Sequence, residues 1–133
     1  MAQMPKKVMD ALADPGAMKM VGTVNGSGVP NAVIVNTIAA LNPETIAFAD
    51  LRLGKTKANL TDTGKMTVTI LRPNREAYQV KCSFQSFDET SPLAAEWNEM
   101  IYSRMRIQIR AVGMAKVEEV YSACLADAGA KLA

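Results

Sequence analysis

Two stretches of this 133-residue chain alternate apolar and polar side chains with a period of two, and that alternation constrains the fold more than any other feature. In "KMTVTIL" (65–71), Met66, Val68 and Ile70 alternate with Lys65, Thr67 and Thr69. In "AYQVKCSFQSF" (77–87), Tyr78, Val80, Cys82 and Phe84 share one face, while Gln79, Lys81, Ser83 and Gln85 share the other. Strands of a parallel sheet are buried on both faces and read as continuous apolar runs. These strands have one wet face, so they point to an antiparallel sheet. The intervening "RPNRE" supplies a tight turn.

The same texture continues on either side. "MKMVGTV" (18–24) and "VPNAVIVNTIAAL" (29–41) flank the hairpin signal "NGSG", and "NP" at 42–43 precedes a short buried strand, "TIAFA" (45–49). "RIQIRAVGMAKVEEV" (106–120) reads as one long strand with Ile107, Ile109 and Ala111 facing one way. Helices are few. Pro5 suits the first turn of a helix carrying Met4, Val8, Met9 and Leu12, and "DPG" at 14–16 stops it. "KTKANLTDTG" is a two-turn helix ending at Gly64, and "SPLAAEWNEMIYSRM" (91–105) is amphipathic with Ser91 as N-cap and Pro92 behind it. The tail "SACLADAGAKLA" reads as a weak helix.

Six or so strands joined mostly by tight turns predict one domain over residues 1–133, a closed or nearly closed antiparallel barrel. The stretch 29–41 is apolar on both faces, so its outer side should meet a second subunit.

Composition removes several function classes. The net charge is +2, and the three Phe, three Tyr and one Trp are scattered, so there is no basic, aromatic-interleaved face for nucleic acid. With no histidine, a His-ligated metal or haem site cannot form, and two distant cysteines, Cys82 and Cys124, make neither a metal cluster nor a disulfide framework. No apolar run reaches membrane-spanning length, and the first residues, which carry Asp10 and Asp14, do not resemble a secretory signal. The expectation is a cytoplasmic protein with no membrane, metal or nucleic-acid partner.

"FADLRLGKTKANL" (48–60) comes within one residue of a phosphate-binding P-loop, with Ala49 where the first glycine belongs. The context argues against that loop. It is followed by hairpin-rich β structure, bulky "DLRL" occupies the positions that must wrap phosphates, and Asp50 would repel them. Phosphate chemistry survives in another form. Lys55 offers a point charge, Thr56 a hydroxyl, Arg52 a bidentate fork and Gly54 close backbone approach, all at a helix N-terminus whose N–H groups are free. Spacing alone equally permits Thr56 as an ordinary cap with Arg52, Lys55 and Lys57 as solvated charges.

A strand, a basic bend and then "K-T-x-x-N-L" opening a helix within a small β chain resembles the FMN-binding split-barrel family, which includes pyridoxamine 5'-phosphate oxidase. "GVPN" (28–31) and "YQVK" (78–81) extend the resemblance over most of Met18 to Val120. It implies a six-stranded antiparallel Greek-key split β-barrel with a few short helices. It also implies a homodimer with a flavin nucleotide, FMN or the deazaflavin F420, between the subunits. On that resemblance Lys55 and Thr56 hold the phosphate, while Val35, Asn36 and Thr37 run beside the ribityl chain and ring. The backbone of Ala49, Asp50, Leu51, Arg52 and Leu53, leading to Gly54, meets the polar edge of the ring. Asn36 is equally readable as a buried polar residue satisfied by the sheet.

The chain lacks the Arg/His-bearing C-terminal segment of the vitamin B6 oxidases, which argues against that activity. No residue stands out as acid, base or nucleophile. The expected function is therefore that of an FMN-binding, redox-active flavoprotein, an oxidoreductase or electron carrier in which the cofactor supplies the chemistry. A redox-silent flavin store and a cofactor-free interaction barrel are the alternatives.

Overall fold

In the computed structural model, which describes residues 2–133, the elements run α1 (Lys6–Ala13), β1 (Met18–Val24), β2 (Pro30–Ile34), β3 (Ile38–Asn42), β4 (Thr45–Asp50), α2 (Lys55–Thr63), β5 (Lys65–Leu71), β6 (Ala77–Asp88), α3 (Pro92–Met105) and β7 (Ala111–Ser122). All seven strands join one antiparallel sheet in the order β2-β1-β5-β6-β7-β4-β3.

The alternating strands behave as their pattern dictates. Met66, Val68 and Ile70 are buried, as are Tyr78, Val80 and Cys82. Their inward side chains meet Phe48, Leu60, Ala115, Val117 and Val120 in the main core, and α1 covers one part of it with Val8, Ala11 and Leu12. A second, smaller cluster packs Trp97, Ala94 and Ile101 of α3 on Ala47, Ala49 and Val112. Ser91 caps α3 by accepting from the Ala94 amide at 3.3 Å, and Gly64 ends α2 in the left-handed region at φ 67°.

Seven strands replace the six expected, because the stretch 29–41 is two strands. β2 pairs with β1 and lies at one edge of the sheet, whereas β3 pairs with β4 and lies at the other. The transfer takes three residues. The Val35 amide still donates to the Lys19 carbonyl beside β1 at 2.9 Å, while the Thr37 carbonyl already accepts from the Ala49 amide beside β4 at 2.9 Å. The stretch is apolar on both faces, so the switch of inward side chains from Val33 and Val35 to Ile38 and Ala40 leaves no mark in the sequence. The sheet is therefore curled but not closed, since no hydrogen-bonded ladder joins β2 to β3.

Two further expectations are corrected. The last strand begins at Ala111 and not at 106, because α3 ends at Arg106 in the left-handed region (φ 57°). Asn98 of α3 then accepts from the Ile109 amide at 2.9 Å, so a helix side chain replaces a neighbouring strand as its partner. Ile107 is consequently 41% exposed. The tail is not helical. It turns through Gly129 (φ 86°) and returns to β7, where the Leu132 amide donates to the Val120 carbonyl at 2.7 Å.

Candidate functional site

β4 leaves the sheet at Asp50, and the chain must turn within four residues to start α2 at Lys55. Gly54 makes this possible. Its φ of 57° and ψ of −120° lie in a region open to little besides glycine, and no side chain caps the helix start behind it. The helix N-terminus thus retains unsatisfied N–H groups and a partial positive charge. Lys55 and Arg52 are exposed beside it, and neither has an ion-pair partner among the described residues.

The bend faces the break between β2 and β3 across a groove of about 280 Å³. Its walls are Val35, Asn36 and Thr37 on one side and Ala49, Leu51, Arg52 and Leu53 on the other, with Ile34 and Met105 completing it. The two segments named from the sequence, separated in the chain by residues 38–48, are thus brought face to face. Asn36 is open to the groove and not buried in the sheet. A second hollow of about 290 Å³ adjoins the groove through Asn36, Thr37 and Met105 and runs along α3 past Trp97 and Ile101.

Four of the predicted residues lie outside this lining. Gly54 and Lys55 are exposed at the helix start. Thr56 is fully buried and turned inward, where its Oγ1 accepts from Asn31 Nδ2 at 3.1 Å. One turn later Asn59 Nδ2 donates to Thr23 Oγ1 at 3.0 Å, so the inner face of α2 is bracketed to β1 and β2 by paired side chains. Asp50 is also fully buried. Its Oδ2 lies 2.8 Å from Lys57 Nζ, and its Oδ1 accepts from the Leu53 amide at 3.4 Å. The Lys57 ammonium sits 4.8 Å from the centre of the Phe87 ring. A carboxylate expected to repel phosphate is therefore neutralised beneath the bend.

Sequence reasoning missed Ile34, Met105, Asn31 and Lys57. Asn31 lay within the quoted "GVPN" and Lys57 within "KTKANL", but only the tertiary pairing reveals their partners. Nothing in the sequence sets Met105, at the far end of α3, against this bend. Cys82 is buried, and that burial foremost, aided by Glu118, pushes its thiol up to about 12, which disfavours the reactive thiolate. Among the described residues no cluster of three His, Cys, Asp or Glu side chains gathers to hold a metal, and no helix is long and apolar enough to cross a membrane.

No protein-family model and no curated protein matches this chain. Solved structures do. HupZ from Group A Streptococcus superposes with a TM-score of 0.82 at 21% identity, covering 98% of this chain and 99% of its own. An FMN-binding protein from Syntrophomonas wolfei gives a TM-score of 0.80 at 16% identity over 90% of this chain and 86% of its own. An F420 reductase gives 0.68 at 13% identity over 88% of this chain and 98% of its own. At such identities the likeness speaks for architecture, and on that ground this chain has the split-barrel fold of the pyridoxamine 5'-phosphate oxidase-like proteins.

Proposed function

We propose that the groove binds a flavin nucleotide, FMN in the first instance, and that the protein works as a redox-active flavoprotein. The observation that carries this reading is the meeting of residues 35–37 with the bend 49–53 beside an uncapped helix start flanked by two unpartnered cations. The residues present fit the group. Lys55, Arg52 and the free N–H groups of α2 match a phosphate dianion, and a Cβ on Gly54 would meet nothing within 4 Å, so the backbone there is open to close approach. Apolar Val35, Leu51, Leu53 and Met105 offer faces for a flat ring, and Asn36 and Thr37 offer polar atoms for its ribityl chain or edge. Thr56 supports the site from beneath through Asn31.

The flavin, when bound, supplies hydride or electron transfer. The chain's own contribution is to hold, orient and partly desolvate it. The F420 reductase among the similar structures keeps a deazaflavin within the proposal. Mass identification of the small molecule released on denaturation decides between them, and anaerobic reduction by NADH or NADPH separates an enzyme from a flavin store.

Lys55→Ala is expected to weaken FMN by about ten- to a hundredfold, the loss of one charge-assisted contact of roughly 1.5–3 kcal/mol. Riboflavin, which lacks the phosphate, should hardly respond. Fluorescence titration of both ligands is the measurement, and equal losses for the two would put the phosphate elsewhere.

The proposal also sets a second copy of the chain beside this groove. The outer face of β1 supports the same reading. Exposed Met20 is paired with exposed Ile34 across β1–β2, and exposed Met18 with exposed Leu71 across β1–β5, giving one contiguous apolar patch. The expected result is a homodimer in sedimentation at micromolar concentration, and a monomer there would remove the interface from the proposal.

A further inference from the structure

We infer that Asp50 and Lys57 act as one positioning pair for the groove, fixing the wall that meets the flavin ring while leaving phosphate recognition to Lys55 and Arg52. The inference rests on the flavin reading above and concerns how that site is held in shape.

Asp50 joins three elements through one residue. Its carbonyl accepts from the Arg110 amide at 2.8 Å, which ties the end of β4 to the approach to β7. Its carboxylate reaches forward to the Leu53 amide and to Lys57 in the first turns of α2. Leu51, Arg52 and Leu53, which form one wall of the groove, are therefore spanned by a side chain that is itself wholly enclosed. The bond to the Leu53 amide is long, at 3.4 Å, so the 2.8 Å contact with Lys57 is the firmer hold.

Lys57 completes the brace. Its ammonium lies between the carboxylate and the ring of Phe87 on β6, and Phe87 packs 4.7 Å from Phe84 and 6.1 Å from Phe48 between ring centres. The bend is thus referred to the aromatic part of the barrel core. Lys57 is committed inward by the same contact, although its sequence neighbour Lys55 is free. Of the basic residues around the helix start, Lys57 is the one whose charge is already matched.

The pair should accordingly weaken riboflavin and FMN alike, by moving the wall that meets the ring both share, whereas Lys55 affects FMN alone. The test uses Asp50→Asn, Lys57→Met and the combined Asp50→Asn/Lys57→Gln, in which two amides replace the two charges. Riboflavin and FMN are titrated against each, with visible circular dichroism of the bound flavin and thermal melts recorded in parallel. Each single variant is expected to weaken both ligands by the same factor, about tenfold or more, since the wall is then no longer held in its binding geometry before the ring arrives. Each should also alter the dichroism of the bound ring, and the amide pair should recover most of both.

Asp50→Asn leaves Lys57 half exposed and able to turn to solvent, so it is the variant that keeps its fold if Lys57→Met does not. Unchanged riboflavin affinity in folded Asp50→Asn overturns the inference, as does weakening of FMN alone. Unchanged dichroism in a variant that merely melts earlier assigns the pair a structural role and overturns it too. Wild-type protein that binds neither flavin removes the flavin reading itself, and the inference with it.

Discussion

Gly113→Ala is expected to destabilise the protein by about 3 kcal/mol, at the upper end of ordinary overpacking, and to lower Tm on the order of 10 °C. Gly113 lies directly opposite Phe48 in the β4–β7 ladder. A Cβ placed there would stand 2.3 Å from Phe48 Cζ, 2.5 Å from Cε2 and 2.9 Å from Cε1. These are atoms of a rigid ring, so the clash cannot be relieved by bending the end of a flexible chain. Nor is the ring free to swing away. Phe48 is fully buried and held between Phe84 at 6.4 Å and Phe87 at 6.1 Å, ring centre to ring centre. Relief must come from the strands themselves. Phe48→Leu in the same background should recover part of the loss, because the shorter side chain vacates the space the methyl needs. The check is a double-mutant cycle of chemical denaturation, in which strict additivity would show that the two positions do not touch.

Gly54→Ala is expected to lower stability by about 1–3 kcal/mol and to weaken FMN as well, through the backbone and not through a clash. There is open space where the new methyl would sit, but φ 57° with ψ −120° is a conformation that alanine resists. The chain would relax by moving the start of α2, and the N–H groups proposed to meet the phosphate would move with it. Gly28→Ala is the matched control. Gly28 also has a positive φ, 84°, and open space around a Cβ, but it lies in the β1–β2 turn, where Asn25 Oδ1 accepts from the Ser27 and Val29 amides. It should lose stability while FMN affinity, measured on folded protein, holds. Equal affinity losses at the two glycines would mean that FMN binding reports global stability and not the helix start.

The parts of the fold that were legible are those decided locally. Alternation alone specified β5 and most of β6, and chemical punctuation at Ser91, Pro92 and Gly64 placed the ends of α3 and α2. What stayed hidden depends on partners. The stretch 29–41 is apolar on both faces, so the change of neighbours at residues 35–37 has no local signal. Ile107 and Ile109 carry the alternation of a strand, yet the backbone before Ala111 is held by Asn98 of a helix. The site divides in the same way. Val35, Asn36, Thr37 and the bend 49–53 were named on the family resemblance, and all of them but Asp50 line one groove. The inward turn of Thr56 and the pairing of Asp50 with Lys57 required knowing which side of α2 meets the barrel, and the weakly amphipathic "KTKANLTDT" does not say.

The transfer of one stretch of chain between the two margins of the sheet also bears on how the protein avoids its own kind in the wrong register. An uncurled sheet of seven strands would offer two open margins for another chain to extend. Here both margins are five-residue strands drawn from the same segment, with α2 packed near β2 and α1 near β3. With margins this short, another chain could extend the sheet by only a few residues on either side, although Ile34 and Leu41 stand exposed there.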